Sequence, residues 1–274
     1  MNGSRGDRPR VVVIGANGQL GSDLVDVLRH RSEVVPLTHA DLEICDARQV
    51  RTALHEHRPD VVMNTAAFHR VDDCEREVER AFLVNAVAVR YLAEACRDVG
   101  ATLVHFSTDY VFDGSKRTPY TEDDAPSPRS VYAISKLAGE LAVRATVERH
   151  FVVRTSGLYG LRGSSVKGGN FVETMLRLQR EGRPIRVVDD QELTPTYTRH
   201  VARKVAQLVE TTAYGLYHVT NAGSCTWYQF ARRIFALAGL PVDLRPQTTA
   251  EAGRPAPRPA YSVLAHAGLA KLGL

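Results

Sequence analysis

Short β-branched runs alternate with longer stretches of helical period along the first half of the chain. RVVVIG (10–15), EVVPL (33–37), DVVMN (60–64), TLVHFS (102–107) and FVVRT (151–155) are apolar at consecutive positions, as strands covered by helices on both faces are. Between them lie amphipathic stretches, the longest being EREVERAFLVNAVAVRYLAEACRDVG (75–100), which closes on Gly100 as a helix C-terminus does. This alternation predicts βαβ units and an α/β fold built on a doubly wound parallel sheet over residues 10–154.

Beyond Thr155 the regularity breaks. A glycine-rich stretch leads into a helix, FVETMLRLQREG (171–182), a strand-like IRVV (185–188), a loop DDQELTPTYT (189–198), a helix from Arg199 and a strand-like GLYHVT (215–220). The end, GRPAPRPAYSV (253–263), is rich in proline. The expected organisation is a flexible N-terminus at 1–9, the sheet domain at 10–154, and a smaller C-terminal substrate-binding lobe within 155–274. Segments 184–189 and 198–220 are expected to return to the sheet domain. Irregular segments beyond the carboxyl ends of a parallel sheet are where α/β proteins place ligands.

Composition narrows the class. At 274 residues, 44% hydrophobic and 24% charged, the chain is globular, with one large core and room for an added lobe. It has no apolar run long enough to span a bilayer and no apolar signal segment at its start, so a cytoplasmic protein without membrane association is expected. The net charge of +4 comes without a long basic run, which argues against nucleic acid as a partner and suits a small anionic ligand. The four cysteines are scattered, and neither a disulfide framework nor a metal site is expected.

Two stretches carry candidate chemistry. VVVIGANGQLGSDL (11–24) places Gly15, Gly18 and Gly21 between the first strand and the first helix, where glycines admit a tight turn and a helix N-terminus faces a pyrophosphate. Asn17, Gln19 and Leu20 complete this candidate cofactor turn of a Rossmann-type domain. The acidic residue that would hold a ribose hydroxyl belongs at the end of the second strand, but PLTHADLEICD (36–46) has Thr38 and His39 there and Asp41 late. NADPH and NADH therefore both stay open, NADPH slightly favoured. Asp46 suits either the adenine amino group or a helix N-cap.

The second stretch is SVYAISKLAGE (130–140). Tyr132 and Lys136 stand one helical turn apart, and an ammonium there is expected to bring the phenol toward a working acidity. Such a pair also arises by chance on a helix surface. Its place after the fourth strand points it at the reactive end of a bound dinucleotide, and HFSTDYVFDG (105–114) sends Ser107 and Thr108 to the same point. Asn64, Ala66 and Ala67, ending the third strand, either line the cofactor cleft or form a small-residue turn.

The set GANGQLG, STDYVFDG and YAISK resembles the extended short-chain dehydrogenase/reductase superfamily. NTAAFHRVDDCE, RTSGLYG, GGNFVETMLRL, VVDDQELTPTYT, GLYHVTNAGSCTWYQFA and RPAPRPAYSV extend the resemblance to the dTDP-4-dehydrorhamnose reductase family from Arg10 to about Val263. It implies reduction of the C4 ketone of a nucleotide-linked 4-keto-6-deoxy sugar by NAD(P)H, in a monomer or homodimer. By the same resemblance Tyr132 is the general acid, Lys136 binds the nicotinamide ribose and tunes the tyrosine, and Thr108 holds the carbonyl oxygen. Tyr110, Asn170, Phe171, Gln191, Thr194 to Thr196 and Arg258 would surround the substrate, although packing roles suit each equally well. The family usually has tryptophan where this chain has Gly157, which leaves the sugar open between rhamnose and a secondary-metabolite sugar of dihydrostreptose type. The ending AHAGLAKLGL stops short of the family's last helix, so the expectation is that either the chain is cut or the small lobe is abbreviated. A non-enzymatic reading, a regulatory subunit like the beta subunit of methionine adenosyltransferase, also fits the fold.

The remaining features read as structural. His69, His105, His200 and His218 lack ligand spacing, Trp227 and Tyr228 read as core, and the acidic run Glu122 to Asp124 reads as a solvated face.

Overall fold

The computed structural model describes residues 8–162 and 169–274. Most of the expected N-terminal tail, residues 1–7, lies outside them. The first half of the chain runs β1 (Arg10–Ile14), α1 (Gln19–Leu28), β2 (Glu33–Leu37), α2 (Ala47–His57), β3 (Val61–Asn64), α3 (Val71–Cys74), α4 (Val78–Phe82), a π-helical turn (Leu83–Val87), α5 (Ala88–Val99), β4 (Thr102–Thr108), a 3-10 turn (Asp109–Val111), α6 (Val131–Thr146) and β5 (His150–Thr155). The second half runs β6 (Leu158–Tyr159), α7 (Phe171–Arg180), β7 (Ile185–Val188), β8 (Glu192–Leu193), β9 (Thr196–Tyr197), α8 (Thr198–Leu208), β10 (Gly215–His218), β11 (Cys225–Thr226), α9 (Trp227–Ala238), β12 (Leu244–Gln247), α10 (Thr249–Ala252) and α11 (Ala267–Lys271).

Six strands form a Rossmann-like parallel sheet in the order β10-β5-β4-β3-β1-β2. The chain reverses its direction of winding between β1 and β3, so a crevice opens at their carboxyl ends. Strand residues alternate between two cores, as a period of two dictates. Val11, Val13, Met63, Val104 and Val153 pack under α1 and α8, whereas Val12, Ile14, Val62, Leu103 and Val152 pack under α2, α5 and α6. Because both faces are covered, every second residue cannot be polar, which is why the strands read as continuous apolar runs.

Segment 184–189 departs from expectation. It does not return to the large sheet: β7 pairs with β12 and packs on α7 and α9, where Ile185 and Val187 meet Met175, Ala231, Ile234 and Phe235. Its burial alternates, with Arg186 exposed, so only one face is apolar and a doubly covered sheet would have stranded a charge. α8 lies on α1, and β10 extends the sheet beside β5. The last turn, α11, docks Leu269 into the core under α1 and α8 rather than into the small lobe. No helix among the described residues is long and apolar enough to cross a membrane, and no cluster of three metal-ligating residues occurs among them.

Candidate active site

The glycine turn sits in the crevice between β1 and β3. The N–H groups of Gly15 and Ala16 both donate to Leu37 O, at 2.8 and 3.1 Å, which ties the turn to β2. Gly15 has φ +79°, and a Cβ there would lie 2.7 Å from Thr65 Oγ1. A Cβ on Gly21 would lie 2.2 Å from Gly15 O, so α1 approaches the turn as closely as only glycine permits. α1 begins at Gly18 with no side-chain cap and no acidic residue in its first turn. Its first N–H groups and partial positive charge are left without a side-chain cap, a cradle that fits the pyrophosphate of a dinucleotide. Asn17 is exposed beside it, whereas the Leu20 side chain belongs to the core and offers the turn only its backbone. Gly21→Ala is expected to push the helix off the turn and weaken NADPH binding about tenfold, at a stability cost of about 1–3 kcal/mol for overpacking. Fluorescence titration of NADPH measures the first and denaturant unfolding the second.

Thr65 was not singled out in the sequence, yet its hydroxyl donates to Ile14 O at 2.7 Å and joins β3 to the turn. Asn64 accepts the Ala66 N–H at 3.2 Å and faces His105 Nδ1 at 3.2 Å, which shapes the 64–67 segment as a turn at the crevice wall. At the end of β2, Asp41 accepts both the N–H and the hydroxyl of Thr38, at 2.8 and 2.7 Å. These bonds hold its carboxyl below the usual range and turn it toward its own loop. Asp46 caps α2 through the N–H groups of Arg48 and Gln49. Of its two expected roles, the structural one is visible.

The reactive end is built by β4 and the start of α6. Ser130 caps α6, which sets Tyr132 in its first turn and Lys136 one turn on. Thr108 ends β4 with its hydroxyl at the phenol, and Tyr110 stands edge-on to Tyr132 with ring centroids 6.1 Å apart. Burial raises the Tyr132 pKa above the ordinary phenol value, with the Thr108 hydroxyl opposing. This corrects the expectation that Lys136 acidifies the tyrosine. The ammonium is itself buried and donates to Phe106 O at 2.6 Å; burial brings its pKa down to about 8, with Glu140 opposing. His105, buried near that ammonium, is held neutral. Burial also raises Asp109 to about 6, against hydrogen bonds from Ser262, Ser156 and Thr108, and raises Tyr110 to about 12.

Asn85 is a second residue the sequence reading passed over. It lies fully buried in the π-helical turn, donates to Phe68 O at 2.9 Å and to Ser135 Oγ at 3.0 Å, and accepts the Phe68 N–H at 2.9 Å. Ser135 in turn donates to Tyr132 O at 2.8 Å. One amide thus fixes the 66–68 wall against the helix that carries Tyr132. Its only sequence signal is an asparagine inside the apolar LVNAVAV.

The expected substrate residues are mostly engaged in structure. Asn170 forms a capping box with Glu173 at the start of α7 and donates to Gly160 O at 2.8 Å. Phe171 packs on Trp227, centroids 4.7 Å apart, in the small-lobe core. Gln191 donates to Thr249 Oγ1 at 2.9 Å, and Thr196, fully buried, donates to Thr194 O at 3.0 Å. Arg258 does not stand free as a phosphate fork: it makes two 3.0 Å bonds to Asp72, joining the proline-rich segment to α3, and reaches the Tyr110 hydroxyl. Of this set, Tyr110 meets the Tyr132 ring and Arg258 meets Tyr110, while Asn170, Phe171, Gln191 and Thr196 make structural contacts in the second half of the chain. Gly157 has φ +53°, and a Cβ there would lie 3.0 Å from Thr194 O, so a tryptophan on this backbone would be strained.

The acidic run is a solvated face only in part: Asp123 is exposed, but its neighbours are engaged. Glu122 accepts the N–H groups of His218 and Gly268, each at 3.1 Å, and Asp124 takes the Lys116 ammonium at 2.6 Å. His218 is buried against Glu122 and Arg154 and is brought down to about 4 by that burial.

The RmlD substrate binding domain family matches residues 9–274. A dTDP-4-dehydrorhamnose reductase of Streptomyces griseus is 44% identical over 265 residues, covering 94% of this chain and 86% of that one. A probable dTDP-4,6-dihydroxy-2-methyloxan-3-one 4-ketoreductase of Streptomyces antibioticus is 46% identical over 261 residues, covering 94% and 87%. The crystal structure of a dTDP-4-dehydrorhamnose reductase from Bacillus anthracis in complex with NADP is 41% identical and superposes with a TM-score of 0.94 over 97% of this chain and 94% of that one. The chain belongs to the RmlD family, that of the dTDP-4-dehydrorhamnose reductases and their relatives.

Proposed function

We propose that the protein reduces the C4 ketone of a dTDP-linked 4-keto-6-deoxy sugar with NADPH or NADH, most simply dTDP-4-dehydro-L-rhamnose to dTDP-L-rhamnose. The observation that carries this reading is the placing of Thr108 at the Tyr132 phenol, with Lys136 one helical turn on against Phe106 O, at the carboxyl end of β4 on the sheet end where the glycine turn also opens. Bound NAD(P)H supplies the hydride that reaches C4. Tyr132 donates its proton to the C4 oxygen as the carbonyl π bond gives way to an alkoxide, and Thr108 hydrogen-bonds that oxygen. The Lys136 ammonium, one helical turn beyond the phenol, is suited to ribose hydroxyls. Phe106, Asn64 and Asn85 hold the parts in place.

A close second reading is a related 4-ketoreductase acting on another dTDP-deoxysugar. It is favoured by the Streptomyces antibioticus relative and by Gly157, which stands where the resemblance implies a tryptophan. NADPH oxidation measured over a panel of dTDP-4-keto-6-deoxy sugars decides between them by kcat/KM. A protein that binds NADPH yet oxidises it with no member of the panel is not a reductase of this class.

A pH profile tests the assignment of Lys136. The lysine is charged below its lowered pKa and neutral above it, while the raised Tyr132 keeps its proton throughout this range. kcat/KM for ketone reduction is expected to be flat below pH about 8 and to fall above it. A rate that holds to pH about 10, the ordinary phenol range, would remove Lys136 from the mechanism.

A further inference from the structure

Behind the catalytic edge of α6, three charged side chains and a hydroxyl are sealed from solvent. Glu140 stands one helical turn beyond Lys136 on the same helix face, and the two are 1% and 2% exposed. The Glu140 carboxylate accepts three hydrogen bonds, from Ser107 Oγ at 2.5 Å, Arg154 Nε at 2.9 Å and Arg154 Nη2 at 2.7 Å. Arg154 is equally buried, lies 5.2 Å over the Phe112 ring, and leaves its Nη1 without a partner among the described residues. β4 supplies adjacent partners for both charges, the Phe106 carbonyl for Lys136 and the Ser107 hydroxyl for Glu140.

Two cations thus share one anion in a dry place, and a buried ammonium beside a lone carbonyl is expensive unless an anion compensates it. The other groups packed around α6 do not provide one for Lys136. His105 on β4 is neutral, Asp109 in the 3-10 turn and Cys74 on α3 act on Tyr132, and Glu75 accepts the Val131 N–H at the helix start. Glu140 is the charge that acts on Lys136.

We propose that Glu140, clamped by Arg154 and Ser107, is a positioning residue for the reduction: it keeps Lys136 in its ammonium form, held against Phe106 one turn along the helix from Tyr132. This rests on the reductase reading. Five lysines in the chain make carbon-13 lysine NMR a direct readout that needs no turnover. Glu140→Gln is expected to lower the Lys136 titration midpoint by about one pH unit, and Arg154→Met, which frees the carboxylate's full charge, to raise it. The alkaline limb of kcat/KM should follow in both. Loosened packing would wet Lys136 and raise the midpoint in both variants, so the opposite signs separate electrostatics from damage. If Glu140→Gln does not fold, the Glu140→Gln/Arg154→Met double variant leaves one uncompensated cation instead of two and should still lower the midpoint, because Glu140 is the one acting on the lysine. A midpoint unchanged or raised on loss of Glu140 overturns the proposal. Wild-type protein that oxidises no NADPH with any sugar of the panel refutes the reductase reading instead, and the lysine titration still decides what Glu140 does.

Discussion

Tyr132→Phe is expected to lower kcat for NADPH oxidation by about 10²–10⁴-fold, the usual worth of a positioned general acid, while leaving NADPH affinity within about twofold. The loss corresponds to roughly 3–5 kcal/mol of barrier. The ring should stay in place, because Ser130 caps the helix start and Asn85 anchors it through Ser135, and neither contact uses the phenol hydroxyl. The edge-on contact with Tyr110 is likewise made by the ring. What disappears is the proton that the C4 oxygen must receive, and Thr108, whose own hydroxyl already bonds Asp109 at 3.1 Å, is a far weaker acid. Steady-state assays with saturating NADPH, paired with a binding titration, separate the two effects. A variant keeping a tenth of the wild-type rate would show that the proton comes from elsewhere.

The contrast between the two ends of the site explains what the sequence could disclose. The glycine turn announces itself because its constraint is local: Gly15 has φ +79° and Gly21 is required by Gly15 O within the same turn. The strands were equally readable, since burial on both faces writes itself into every consecutive residue. Lys136 was found by its spacing from Tyr132, but its partner was not, because the ammonium turns to Phe106, thirty residues earlier. Asn85 and Arg154 escaped for the same reason. A polar residue inside an apolar run signals that a partner exists without saying where, and their partners lie on other elements. The substrate residues were the least secure for a different reason. Asn170 and Thr196 were chosen by likeness to a motif, and a motif does not distinguish a side chain that caps a helix from one that meets a ligand.

Breaking the Glu140–Arg154 pair should have the largest effect on stability of any single change at the site. Either Glu140→Gln or Arg154→Met leaves one buried charge without its partner, which costs about 3–5 kcal/mol, against total stabilities of roughly 5–15 kcal/mol for a folded domain. The geometry argues for the upper part of that range. Two parallel guanidinium–carboxylate bonds and the Ser107 hydroxyl satisfy Glu140 completely, and neither residue has surface through which water could replace a lost partner. Removing both charges together is a different experiment, since a buried pair exchanged for apolar or neutral groups of similar size is often close to neutral. The double variant is therefore expected to be more stable than either single one, with a coupling term of at least about 2 kcal/mol in urea unfolding at unchanged m. Additive losses would mean that each side chain is held by its packing, Arg154 by Phe112 and Glu140 by Ser107. In that case the pair would have no electrostatic hold on the helix that carries Tyr132 and Lys136.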